Sequence, residues 1–542
     1  MPLIKIDNQE LEVPSGITIL EAAKQIGLEI PHYCYHPAMS IVASCRMCLV
    51  KVQGMPKLTP ACSTRIGEMP PERKVDGKYD MVVVTNDEEV KGAHESVLEF
   101  LLLNHPVDCP ECDQAGECFL QDYTFKYGKA HSRFDFPKRV PPRKDLGPEI
   151  LLISTRCILC SRCVRFCKEI TGTNELMVRQ RGANAEIDLF PGESLNNKLS
   201  MNVADICPVG ALVTKDFLFK PRNWHYQKAN SICPGCSVGC NIQIEYLEED
   251  NTIYRIKPVF NADVNEWWMC DDGRLLYHTY QKLNRLEYPF IRKNGELQRG
   301  HWRLTLKEVA KKLREFPAEA VAVVGSGFAT NEDNYMLQKI AREGLGVQTV
   351  AIDDTFYKED DIVYKRFTIK GEKVPNYQGA QDMLQTDLTF SNLLQDIESG
   401  NIKALYWLGG APVFTLSETQ VETLKKLDYL VVQDIKQSPL TEIADVVLAG
   451  AAAYEKEGTF TNYQSRVQRV RAALMPPRAA KTDFEIFHEL FDIMDLGKYL
   501  RAKQVFDEIS QNMDGYRGMS YAALKDGGLP KGQAVPEAEA AS

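Results

Sequence analysis

After Cys270 the chain contains no cysteine, although it runs to 542 residues and holds 16 cysteines from Cys34 onward. A disulfide framework suits small secreted domains, and this long, one-sided distribution excludes one. The second half also has no thiol to offer a metal. The opening MPLIKIDNQELEV lacks the order of basic, apolar and small residues that marks a secretory leader, so none is expected. A reducing compartment is therefore expected, in which C-x2-C pairs read as metal sites. Long apolar runs are missing as well. The longest, residues 444–453, is about half a bilayer span and carries Asp445, so membrane association is expected only through a partner. Positive charge is in deficit: 64 Lys and Arg against 74 Asp and Glu leave −10, which argues against nucleic acid as a partner. With 44% hydrophobic and 25% charged residues the chain has a globular composition, and its length calls for several domains.

Pattern changes divide the chain into six segments. Residues 1–85 read as a small β-rich domain, with strands at 3–6, 11–13, 49–52 and 81–84, a turn at Asp7-Asn8-Gln9, and a helix at 17–26 that Ser15 and Gly16 can begin. Residues 86–148 open with an amphipathic helix at 88–104, apolar at Val97, Leu98, Leu101 and Leu102, and close with a proline-rich, basic linker at 137–148. A second cysteine-rich domain occupies 149–222, and a third module occupies 223–290 with strands at 242–246 and 253–256. From 291 to 526 helices and strands alternate, with a helix at 306–316 and buried strands at 320–324, 405–408 and 430–432, which predicts an α/β domain with a mainly parallel sheet. Residues 527–542 are small and polar, and a disordered tail is expected.

The cysteines fall into four constellations. Cys34, Cys45, Cys48 and Cys62 form C-x10-C-x2-C-x13-C, a loop, a close pair and a distant fourth thiol, as a [2Fe–2S] cluster needs; zinc is the alternative. His105, Cys109, Cys112 and Cys118 follow as H-x3-C-x2-C-x5-C, which suits either structural zinc or a His-ligated cluster. Here the imidazole supplies the fourth ligand that the segment otherwise lacks. Cys157, Cys160 and Cys163 stand in a C-x2-C-x2-C run, with Cys167 next and Cys207-Pro208 much later. A second complete ferredoxin run would need cysteines at positions held by Asn197, Ser200 and Val203. One cluster is therefore complete, on Cys157, Cys160, Cys163 and Cys207, and Cys167 reads as free and buried unless it replaces one of the four. Cys233, Cys236, Cys240 and Cys270 make the last group, fit for [4Fe–4S] or zinc, with Trp267-Trp268-Met269 as an apolar shell. Fifteen cysteines and His105 complete four sites of four ligands, and only Cys167 is left over.

The runs from His105 to Cys118, from Thr155 to Cys163 and from Asp205 to Leu212 resemble the large iron–sulphur subunit of respiratory complex I, the bacterial NADH–quinone oxidoreductase. The resemblance is strong over residues 1–290. It implies an N-terminal ferredoxin-like β-grasp domain, His/Cys and ferredoxin-like [4Fe–4S] modules, and a multidomain α+β and α/β fold overall. Implied cofactors are one [2Fe–2S] cluster on Cys34, Cys45, Cys48 and Cys62 and three [4Fe–4S] clusters, of which the one on Cys233, Cys236, Cys240 and Cys270 lies off the main electron path. Ala444-Asp-Val-Val-Leu448 and Glu455-Lys-Glu-Gly-Thr-Phe-Thr-Asn462 are similar to molybdopterin oxidoreductases, here in a shortened domain expected to hold no molybdopterin. The implied role is electron transfer from the flavin of an NADH-oxidising subunit toward quinone. Flavin/NADH and quinone-side iron–sulphur subunits are the implied partners, and the implied place is the cytoplasmic side of the bacterial inner membrane, peripheral.

Two other readings use the same residues. An NAD-linked formate dehydrogenase or hydrogenase subunit shares the first three modules, and a zinc-stabilised scaffold satisfies the same ligand count. The run from Val324 to Thr330 follows a strand, but Thr330 replaces the third glycine of a dinucleotide fingerprint, so it reads as a tight turn.

Overall fold

The computed structural model describes residues 1–533, which form two compact units: Met1–Tyr226 with Tyr364–Phe367, and the rest from Gln227. In the first unit the alternating burial of Leu3–Ile6 builds a strand that pairs antiparallel with Gln9–Glu12 and parallel with Met81–Val84. Asp7 makes the intervening turn with φ 49°. Leu49–Val52 and Thr59–Pro60 complete a five-stranded sheet, and helix Ile19–Gln25 packs Ile19, Leu20, Ala22 and Ala23 into its core. The helix starts later than expected. Thr18, rather than Ser15 or Gly16, caps it through a reciprocal pair with Glu21, because that box satisfies two free N–H groups at once.

Asp87 caps the long helix Glu88–Leu102, which buries Val90, His94 and Leu98. Part of the expected linker is structured: Lys144–Asp145 pairs with Ile150–Leu152, which in turn pairs with Leu212–Thr214. That small sheet sets where the two cysteine loops that follow and precede its strands begin and end.

The second unit opens with an antiparallel sheet of Gln227–Ile232, Asn241–Leu247 and Thr252–Pro258, followed by helix Asp271–Gln281. Its main sheet has seven strands in the order Glu296–Arg299, Phe290–Lys293, Val446–Ala449, Tyr429–Asp434, Ala404–Leu408, Val321–Gly325 and Thr349–Ile352. The last five run parallel, as the alternation of apolar strands and helices predicts, and apolar clusters cover both faces. Residues 527–533 depart from the expected disordered tail. Leu529–Pro530 adds a strand beside Arg466–Val470, closing a small sheet with Gly458–Thr461. Residues 534–542 lie outside the described part of the chain.

Candidate cluster-binding sites

The strand register creates the first site. Leu49 pairs with Pro60, which brings Cys48, just before one strand, toward Cys62, just after the other. A loop turned by positive φ at Ala43 and Arg46 returns Cys34 and Cys45 to the same point. Cys34 accepts S–H bonds from Cys45 and Cys62 and N–H bonds from Cys45 and Ser44, which hold its thiol far below the ordinary range. Cys62 also bonds Cys48, and the sharing pushes Cys45 and Cys62 up. The four cysteines thus lie in one neighbourhood, each interacting with at least one other.

Cys157, Cys160, Cys163 and Cys207 line one cavity with Leu152, Ile187 and Val209. Positive φ at Leu159 and Ser161 turns amide groups inward, and the Leu159 N–H lies 3.4 Å from the Cys157 sulphur. Val209, Ala211 and Leu212 direct backbone N–H groups at Cys207. Burial pushes the Cys157 thiol up to about 12 and Cys160 to about 11. Neutral thiols are poor acceptors, so amides aimed at sulphur suit thiolates bound to a metal cluster. Cys167 is buried but outside this cavity's lining, with its thiol bonded to Glu175.

At the His105 site the structure brings Cys112 and Cys118 together in a buried position, while Cys109 is exposed. A Cβ at Gly210 would lie 2.2 Å from the Cys112 sulphur, so only glycine lets that thiol in. Burial, aided by the Arg156 charge, lowers His105 to about 4, which leaves the neutral imidazole that a metal ligand requires. Arg156 itself is held by Asp108 at 3.0 Å. Among the described residues His105 makes no hydrogen bond to the three thiols, so the structure does not by itself bring this histidine onto them.

In the second unit the hairpin of Gln227–Ile232 and Asn241–Leu247 closes a thiol loop through Cys233 N–H to Cys240 C=O, 2.9 Å. Cys236 lies between them, and Cys270 caps the following helix with its sulphur accepting from Gly273 N–H at 3.3 Å. All four are buried, and burial raises all four thiols. Trp268 and Met269 are buried, whereas Trp267 is 37% exposed, so the apolar shell is partial. Tyr280 and Tyr454 stack edge-on at 5.2 Å, and among the described residues neither buried hydroxyl finds a hydrogen-bond partner. Sequence reading misses this pair, because only the long-range packing of residues 280 and 454 makes it. Among the described residues no three His, Cys, Asp or Glu side chains converge tightly enough to hold a single metal ion.

The donor sets of the four sites fit iron–sulphur clusters: several thiols per site, apolar walls and amides aimed at sulphur. The turn after Val321–Gly325 fits no phosphate. A Cβ at Gly325 would strike Leu384 and Asn334, and one at Gly327 would strike Val374. The Asn334 side chain donates to the Ser326 and Thr330 carbonyls, and buried Glu332 and Asp333 place acids where an anion would sit.

Known proteins divide the chain in the same order. Residues 3–68 match a 2Fe-2S iron-sulfur cluster binding domain, and residues 95–133 match the NADH-ubiquinone oxidoreductase-G iron-sulfur binding region. Residues 147–213 match the NADH-quinone oxidoreductase subunit 3 ferredoxin-like domain, and residues 226–282 a molybdopterin oxidoreductase Fe4S4 domain. Molybdopterin oxidoreductase models cover residues 285–378 and 363–493. An NADH-quinone oxidoreductase subunit of Rickettsia felis is 39% identical over 357 residues, 66% of this chain and 51% of that protein. The NADH-ubiquinone oxidoreductase 75 kDa subunit of Reclinomonas americana is 41% identical over 350 residues, 65% of this chain and 49% of that protein. The chain thus spans about half the length of these curated relatives.

Proposed function

We propose that this chain, a homologue of the large iron–sulphur subunit of NADH–quinone oxidoreductase, is an electron-transfer subunit carrying electrons from the flavin of an NADH-oxidising partner toward quinone. Cys34, Cys45, Cys48 and Cys62 would hold a [2Fe–2S] cluster. His105, Cys109, Cys112 and Cys118, then Cys157, Cys160, Cys163 and Cys207, and then Cys233, Cys236, Cys240 and Cys270 would hold three [4Fe–4S] clusters. When bound, such clusters supply one-electron redox chemistry. The protein's own work is to place the sulphurs, exclude water and stabilise negative charge on them with backbone amides.

One observation carries this reading: the three sulphur sites of the first unit interlock. The Phe119 N–H, next to Cys118, donates to the carbonyl of Pro208, next to Cys207, at 3.1 Å, and Arg165 donates to the carbonyls of both Cys34 and Cys160. Short gaps between redox groups are what a wire requires, and a scaffold has no such need. The partners are a flavin/NADH subunit and quinone-side iron–sulphur subunits. Among the described residues no helix is long and apolar enough to cross a membrane, so the proposed place, peripheral on the cytoplasmic side of the bacterial inner membrane, depends on those partners. The parallel-sheet domain serves as a scaffold without molybdopterin. Molybdenum analysis with a formate oxidation assay tests that last point: bound metal with turnover would replace this reading by a formate dehydrogenase.

A further inference from the structure

Two buried arginines stand between the first and third sulphur sites of the first unit. Arg162 and Arg165 are each 5% exposed. Arg162 donates to the Tyr35 carbonyl at 2.6 Å and the Ile206 carbonyl at 3.1 Å, the neighbours of Cys34 and Cys207. Arg165 donates to the carbonyls of Ser40 at 2.6 Å, of Cys160 at 3.5 Å and of Cys34. Among the described residues every acceptor is a backbone oxygen, and neither Nε atom has a partner. Among the described residues neither guanidinium has a carboxylate partner. Glu169, the acid that binds Ser40, bonds that residue's N–H and hydroxyl instead. The nearby Arg156 is equally buried but paired with Asp108.

A buried cation without a counter-ion is costly, and a fold keeps one where something else supplies negative charge. Cys160, Cys207 and Cys34 are the groups near enough for their negative charge to favour the Arg162 cation, while Arg165 and Lys24 oppose it. Four thiolates around iron and sulphide leave a cluster anionic, and its net charge sets its potential.

We propose that Arg162 and Arg165 are positioning residues that form a fixed positive bridge between the Cys34/Cys45/Cys48/Cys62 and Cys157/Cys160/Cys163/Cys207 sites. The bridge raises the potential of both clusters together and weakens their mutual repulsion, so that reducing one does not block reduction of the other. The inference rests on the cluster assignment above.

The test is an EPR-monitored redox titration of the full chain, isolated without oxygen, with iron analysis of each sample. Variants are Arg162→Gln, Arg165→Gln, the double Gln variant and the corresponding Lys variants. Lysine keeps the charge and loses the two-pronged grip. In the Gln double variant the reduction equilibrium of both clusters should fall about tenfold, about 59 mV for one electron, with the Lys variants within threefold of the parent. Unchanged midpoints in the Gln variants, a shift in one cluster alone, or Lys variants shifted as far as Gln would overturn the bridge. If the double Gln variant assembles no clusters, the single Gln variants decide: both midpoints should fall in each, and a variant that moves neither overturns the bridge. A parent protein without iron sinks the functional reading itself, a distinguishable result.

Discussion

Phe119, next to Cys118, donates its N–H to the carbonyl of Pro208, next to Cys207, at 3.1 Å. The loop that carries Cys207 is thereby locked against the loop that carries Cys112 and Cys118. Gly210, two residues further on, gives Cys112 the room to enter.

This close approach makes Gly210→Ala a lesion aimed at the Cys112 sulphur. A methyl group 2.2 Å from sulphur cannot be accommodated without displacing Cys112. Iron analysis should show a loss of at least about four iron atoms per chain, with the [2Fe–2S] EPR signal retained. Full iron content would show that Cys112 is not a ligand.

His105→Cys tests the one non-thiol ligand. An added thiolate makes the cluster more negative, so its midpoint potential should fall while its iron stays. If the EPR spectrum and midpoint are those of the parent, His105 does not bind the cluster.

Cys167→Ser should leave iron content and all midpoints unchanged, because the Cys167 thiol bonds Glu175 and does not line the cavity of the other four. Loss of the third cluster would make Cys167 a ligand after all.

The parallel-sheet domain should be more stable at mildly acidic pH. Burial raises Glu332 from 4.5 to about 7, with Thr459 and Tyr521 as its hydrogen-bond partners. As pH climbs between those values, an unfolded glutamate loses its proton while the folded one keeps it. Stability contributed by this group is therefore present below about pH 4.5 and lost as pH rises through about 7. Glu332→Gln should flatten that dependence and stabilise the domain by on the order of 2 kcal/mol above pH 7, read by chemical denaturation at pH 5 and pH 8. A steeper fall in the variant would contradict the assignment.

Much of this architecture is readable in the chain because its signals are local. Cysteine spacing predicts which thiols can share a loop, and the structure gathers Cys157, Cys160, Cys163 and Cys207 around one cavity. Short apolar runs alternating with helical stretches mark the parallel strands, found at Val321–Gly325, Ala404–Leu408 and Tyr429–Asp434. What is missed depends on partners far away in sequence. Leu529–Pro530 becomes a strand only because Arg466–Val467 offers an edge, and Arg162 and Arg165 look like surface charges until loops from residues 34–40 and 206 close over them. Thr18 escapes notice because the capping competition among Ser15, Gly16 and Thr18 is settled by which residue has Glu21 three positions ahead.

The most direct measurement is metal content with low-temperature EPR on the chain isolated in the absence of oxygen and then reduced. About 14 iron atoms per chain, little zinc and separate [2Fe–2S] and [4Fe–4S] signals are predicted. A colourless protein rich in zinc and silent by EPR would contradict the account.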